Sequence, residues 1–300
     1  MIKTQNSKFK IKNYGKTISI IGVGLIGASL GLAFKRLKKY RVTGIGRNMQ
    51  KLKYAKKCGA VDEINTSFSN GVKDADIVVL AVPVMTCPKI AEEIKPFLKE
   101  NAVIFDVGST KLGVTGLLTG LLGRNFVGAH PIAGSEKTGV KYANADLFKN
   151  TICVLTPVPQ TEKKAVKIVK DLMTGIGTRI IKMSPSEHDK ILAFTSHLPH
   201  ITAVSLVKLL GPLENEKPLV RFLIGNGFKD TTRISAGSPE VWVDICKTNR
   251  ENLIYECDEM TGNIAAIKKL LQKQDWETLF IEFDRAKKLR ETISNGTITH

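Results

Sequence analysis

No run of apolar residues approaches the ~20 that a membrane-spanning helix needs, which excludes an integral membrane protein. The opening stretch MIKTQNSKFKIKNYGK is basic and lacks an apolar core, so no secretory signal is expected. Cysteine is scarce: Cys58, Cys87, Cys153, Cys246 and Cys257 are odd in number, widely spaced and form no C-x-x-C pair. That argues against a disulfide framework or a thiolate metal site and points to the reducing cytoplasm. Acid is absent from the first 61 residues, which hold 15 Lys and Arg before Asp62. A nucleic-acid-binding arm would use Lys3, Lys8, Lys10, Lys12 and Lys16. No aromatic-interleaved basic stripe or zinc-finger spacing accompanies them. The segment therefore reads as a solvated tail plus a lysine-rich helix face, and neither nucleic acid nor membrane is an expected partner.

The 300 residues are enough for two domains. Strands are expected at 17–22, 41–46, 76–83, 102–108, 125–131, 151–157 and 178–184. Helices are expected after 27, at 49–59 with Gly59 closing it, near 87–99 and at 161–173. Strands alternating with helices predict an α/β, Rossmann-type, doubly wound and mostly parallel sheet. The pattern changes at Ser184-Pro185-Ser186-Glu187, a capping box with proline in the first turn. Beyond it only helical spacing remains, including one long helix expected from Ser238 to Met260. The expected division is a basic arm at 1–16, a dinucleotide-binding domain at 17–183 and an all-helical substrate and dimerisation domain at 184–300.

Gly22-Val23-Gly24-Leu25-Ile26-Gly27 fits G-x-G-x-x-G between a predicted strand and a predicted helix. Gly22 permits the tight turn, Gly24 lets a pyrophosphate near the backbone, and Gly27 lets helix and strand pack closely. The helix N-terminus at Leu25 and Ile26 would face the phosphates, and Val82 would lie against the dinucleotide. At the end of the second strand Gly46 stands where an NAD enzyme carries an acid, and Arg47 follows. An arginine there attracts a 2′-phosphate, so NADP is preferred over NAD. Polar residues just past strand ends are the candidates for chemistry: Ser109 after one strand and His130 at another. His197 and His200 form H-x-x-H on a helix; a metal site would need a third ligand, none is evident, and no metal is expected. Arg233 precedes a helix bearing Trp242, where it either pairs at the surface or clamps a carboxylate.

Together, Gly-Val-Gly-Leu-Ile-Gly, Asp-Val-Gly-Ser-x-Lys, Gly-x-His-Pro-Ile-Ala-Gly-x-Glu, Ser-His-Leu-Pro-His and Phe-Lys-Asp-x-Thr-Arg-Ile resemble the prephenate/arogenate dehydrogenase family of tyrosine biosynthesis, in order, from about 17 to 260. The resemblance implies that His130 is the catalytic histidine and Ser109 its hydrogen-bond neighbour at the nicotinamide. It implies that His200 and Arg233 bind substrate, with Glu136, Asp230 and His197 near the pocket. It also implies a homodimer in which Trp242 reaches the partner subunit's site. The expected reaction is oxidative decarboxylation of prephenate with hydride transfer to NAD(P)⁺; arogenate is the alternative substrate. More distant alternatives are a β-hydroxyacid dehydrogenase, an imine reductase, or a binding module without turnover.

Overall fold

The computed structural model describes residues 15–133 and 137–295. Residues 1–14 of the basic arm, and Glu136, lie outside them. The described residues of Met1–Arg250 form one compact unit and those of Glu251–His300 a second. The first unit begins with β1 (Lys16–Ile21), α1 (Leu25–Arg36), β2 (Tyr40–Ile45), α2 (Met49–Lys57), β3 (Glu63–Asn65), α3 (Phe68–Val72) and β4 (Ile77–Leu80). It continues with α4 (Cys87–Ile94), β5 (Val103–Asp106), α5 (Leu112–Leu122), β6 (Phe126–Ile132), β7 (Ile152–Thr156), α6 (Lys163–Gly175) and β8 (Arg179–Lys182). The strands form one sheet in the order β3-β2-β1-β4-β5-β6-β7-β8. Every pairing is parallel except β6 with β7.

Alternate residues of each central strand serve opposite faces. Ile18 and Ile20 of β1, Ile77 and Val79 of β4, and Val103 and Phe105 of β5 pack into one core with α1, α2 and α6. Ile21, Val78, Leu80 and Ile104 pack into the other with α3, α4 and α5. Burial on both faces explains why these strands are continuous apolar runs. Among the elements through β8, three absent from the sequence expectation are short or masked by composition. β3 has three residues, α3 five, and α5 (LGVTGLLTGLL) carries three glycines that hide its period.

Past β8 every described element is helical: α7 (Pro185–Leu192), a π-turn at Ala193–His197, α8 (Leu198–Glu216), α9 (Asn226–Thr232) and α10 (Pro239–Thr248). Ser184 Oγ accepts from the Glu187 N–H at 3.1 Å, the expected cap of α7. The long helix expected from Ser238 to Met260 is two. It breaks at Asn249 (φ −123°, ψ 30°), and α11 (Arg250–Lys273) follows. α12 (Trp276–Asn295) completes the second unit.

A buried ion pair at the end of β5 anchors the region beneath the site. Lys111 Nζ bonds Asp106, and both side chains are 0% exposed. Asp106 Oδ2 also accepts from the Gly108 N–H at 2.9 Å, shaping the turn that carries Ser109. Removing one partner strands a charge in low dielectric. Lys111→Met is therefore expected to cost roughly 3–5 kcal/mol in urea unfolding, while the double variant Asp106→Leu/Lys111→Met recovers part of that loss.

Candidate active site

A cleft of about 630 Å³ opens where β1, β4, β5 and β6 end, all within the first unit. One wall is the glycine turn. Gly22 sits at φ +97°, and a Cβ there would meet the Ala81 carbonyl oxygen at 2.3 Å. A Cβ on Gly27 would meet the Gly22 carbonyl oxygen at 2.0 Å, so that position holds helix against turn. A Cβ on Gly24 would meet nothing within 4 Å and would project into the cleft. Leu25 and Ile26, which open α1, and Val82 line the cleft beside it, and a glycine turn at a helix N-terminus leaves free N–H groups that can receive phosphate. Arg47 does not line the cleft. It is exposed beyond β2, 5.9 Å over the Phe68 ring. Its segment begins beside the turn, because the Gly22 N–H bonds the Ile45 carbonyl at 2.9 Å.

The opposite wall is a network of histidines. Asp189, on α7 and 0% exposed, accepts the Lys111 N–H at 2.7 Å and the Leu112 N–H at 2.8 Å. α5 has no side-chain cap of its own, so this carboxylate satisfies its first free donors and meets the positive end of its dipole. The same carboxylate lies 2.7 Å from His188 Nδ1. A carboxylate engaged this way only accepts, so His188 carries its proton on Nδ1. In the neutral ring, Nε2 of His188 then accepts from the His130 Nδ1–H at 2.9 Å. With His188 neutral, the lone pair of His130 is on Nε2, and the ring lines the cleft. Burial foremost, then the neighbouring His188, Lys111 and His197, hold the His130 pKa well below 6.5.

The sequence candidates fall into three groups. His130, Ser109, His197, Arg233 and Trp242 line the cleft together with the glycine turn. His130 Nδ1 is hydrogen-bonded to His188, and Ser109 lines the same cleft as His130. His200 is buried behind that wall, and Trp242 lies on it within the same chain, with ring centroids 3.4 Å apart at 7°. Asp230 is exposed and does not line the cleft. On α9 it sits two residues, about 200°, from the buried Thr232.

Sequence reasoning missed His188, Asp189 and Asn249 as members of the site. The first two were absorbed into the α7 cap, although a His-Asp pair on the buried face of an otherwise polar helix is itself a signal. Asn249 is 3% exposed; its Nδ2 donates to the Asp189 carbonyl at 2.8 Å and to His197 Nδ1 at 3.1 Å. Two bonds link the sheet's loops to α10: Thr110 Oγ1 with Thr248 Oγ1 at 2.8 Å, and the Met85 N–H with Asp244 at 3.3 Å.

Burial pulls His197 down to about 4, with Asp189 opposing the shift and His188 and His200 adding to it. Its folded pKa lies below the ordinary 6.5, so between about 6.5 and about 4 the unfolded chain binds more protons than the folded one. The unfolding free energy is therefore expected to fall as pH drops through that window. Chemical denaturation of His197→Gln should show a shallower fall.

The chain matches the family model described as "Prephenate dehydrogenase, nucleotide-binding domain" over residues 30–182 and "Prephenate dehydrogenase, dimerization domain" over 184–285. It is 39% identical over 281 residues to "Prephenate dehydrogenase" of Bacillus subtilis, covering 92% of this chain and 76% of that one. It is 32% identical to "Cyclohexadienyl dehydrogenase" of Zymomonas mobilis, covering 92% and 95%. The crystal structure of prephenate dehydrogenase from A. aeolicus with hydroxyphenyl propionate and NAD⁺ superposes with a TM-score of 0.84 at 33% identity, covering 93% of this chain and 98% of that one. The fold, the glycine cradle and these matches together establish that the chain belongs to the prephenate dehydrogenase family, whose members are NAD(P)-dependent oxidoreductases.

Proposed function

We propose that this chain oxidatively decarboxylates prephenate to 4-hydroxyphenylpyruvate, with His130 as the general base. The observation that carries the reading is the Asp189–His188–His130 line, which leaves a lone pair on His130 Nε2 in the cleft that the glycine turn enters. A dinucleotide bound on that turn supplies a hydride acceptor. His130 takes the proton of the substrate's 4-hydroxyl, while Ser109, on the same wall, orients that hydroxyl. As the hydroxyl becomes a carbonyl, the ring is a vinylogous electron sink. The C1 carboxylate leaves as CO₂ and the ring aromatises. Arg233 and His197 hold substrate oxygens, and Trp242 on His200 forms an apolar side of the pocket. Arogenate, with an ammonium in place of the keto group, is the second substrate to test; the cyclohexadienyl dehydrogenase relative supports its inclusion.

Residues 17–183 serve as the dinucleotide-binding domain and 184–300 as the substrate and dimerisation domain of a homodimer. The exposed apolar side chains of the second unit, among them Ile264, Leu271, Phe280 and Phe283, support that assembly. All five cysteines are free, which supports a cytoplasmic setting.

Because His130 works only when neutral and its pKa is lowered, kcat/KM for prephenate is expected to stay level at neutral pH and fall only below 6.5. His130→Asn should lower kcat by roughly 10²–10⁴-fold with little change in KM. Near-native turnover in that variant removes His130 from the mechanism. For the dinucleotide, the native enzyme should show the lower KM with NADP⁺. Arg47→Glu should raise that KM about tenfold or more and leave NAD⁺ nearly unaffected; a native preference for NAD⁺ refutes the 2′-phosphate role.

A further inference from the structure

His197 is 1% exposed on the cleft wall, and its Nε2 is buried without a hydrogen-bond partner among the described residues. An orphaned buried polar atom beside a cleft calls for a partner, such as a bound group or a water. Whether that atom is a donor or an acceptor follows from the other ring nitrogen. Asn249 Nδ2 lies 2.8 Å from the Asp189 carbonyl oxygen. A carbonyl only accepts, so this end of Asn249 is the amide nitrogen. Its second hydrogen points at His197 Nδ1, 3.1 Å away. Nδ1 therefore carries the lone pair, and the proton of the neutral ring is on Nε2.

We propose that Asn249 is a positioning residue that locks His197 in its Nε2–H tautomer, so that His197 offers a neutral hydrogen-bond donor to an acceptor oxygen of the substrate. The identity of that oxygen, a carboxylate or keto oxygen, rests on the dehydrogenase reading; the tautomer does not. A neutral donor suits this site. A charged His197 would depress the basicity of His130 further, since the two rings face one cleft. Arg233 already brings positive charge to the same wall. The break between α10 and α11 at Asn249 (φ −123°, ψ 30°) thus coincides with the residue that sets the donor.

The test has a spectroscopic and a kinetic arm. With ¹⁵N-histidine protein near neutral pH, the long-range ¹H–¹⁵N spectrum is expected to show His197, assigned by its loss in His197→Gln, as the neutral Nε2–H form. Asn249→Leu should mix or invert that pattern. In kinetics, a glutamine amide can donate from about the Nε2 position and a methionine cannot. His197→Met should raise KM for prephenate about ten- to a hundredfold, more than it lowers kcat, and His197→Gln should recover most of that loss. If Asn249→Leu fails to fold, the native spectrum and the His197 pair still decide. An Nδ1–H or doubly protonated His197 in the native protein overturns the proposal, as does equal KM in His197→Met and native enzyme. Absence of prephenate turnover in the native enzyme defeats the dehydrogenase reading and leaves the spectrum to decide the tautomer.

Discussion

The carboxylate of Asp189 is fully buried, and the chemistry of the cleft depends on how it is satisfied. It receives two backbone N–H groups from the start of α5 and the Nδ1 proton of His188. Taking a charge out of water costs several kcal/mol, and only several charge-assisted bonds of about 1.5–3 kcal/mol each offset that. Once they are made, neither α7 nor α5 can shift without breaking them. His188 is held against Asp189, and through it His130 is held against His188. A fold-level capping interaction and the placement of His130 therefore share one carboxylate.

The backbone carbonyl of Asp189 extends the same logic. It accepts from Asn249, whose other hydrogen reaches His197. Two branches leave this one residue: its carboxylate reaches His130 through His188, and its carbonyl reaches His197 through Asn249. Burial is the first cause of the lowered pKa at both, which keeps both neutral near pH 7. Lys111, paired with Asp106, adds to the lowering at His130. His130 and His197 line the same cleft as Gly24, Leu25 and Ile26 of the glycine turn.

Much of the molecule was legible in the chain. Val78, Val79 and Leu80 are apolar in succession because β4 is covered on both faces, and only a sandwiched parallel strand needs that. The glycine spacing identified the turn because two of its positions tolerate no Cβ and the third opens on the cleft. Less legible were elements whose reasons are not local. α5 borrows its cap from α7, and α10 stops at Asn249 although the helical spacing runs on through Met260.

His130, Ser109, His197, Arg233 and Trp242 could be named from their places past strand ends and in helical motifs, since such positions are fixed by short-range pattern. The partners of those residues could not. The sequence by itself determined the sheet, the glycine turn and the inventory of reactive groups, because periodicity and turn chemistry are properties of neighbouring residues. Only the tertiary structure decided which partners His130 and His197 meet and that Asp230 stays outside the cleft. Those outcomes depend on contacts between residues tens of positions apart, such as His130 with His188 and His197 with Asn249, which no local pattern encodes.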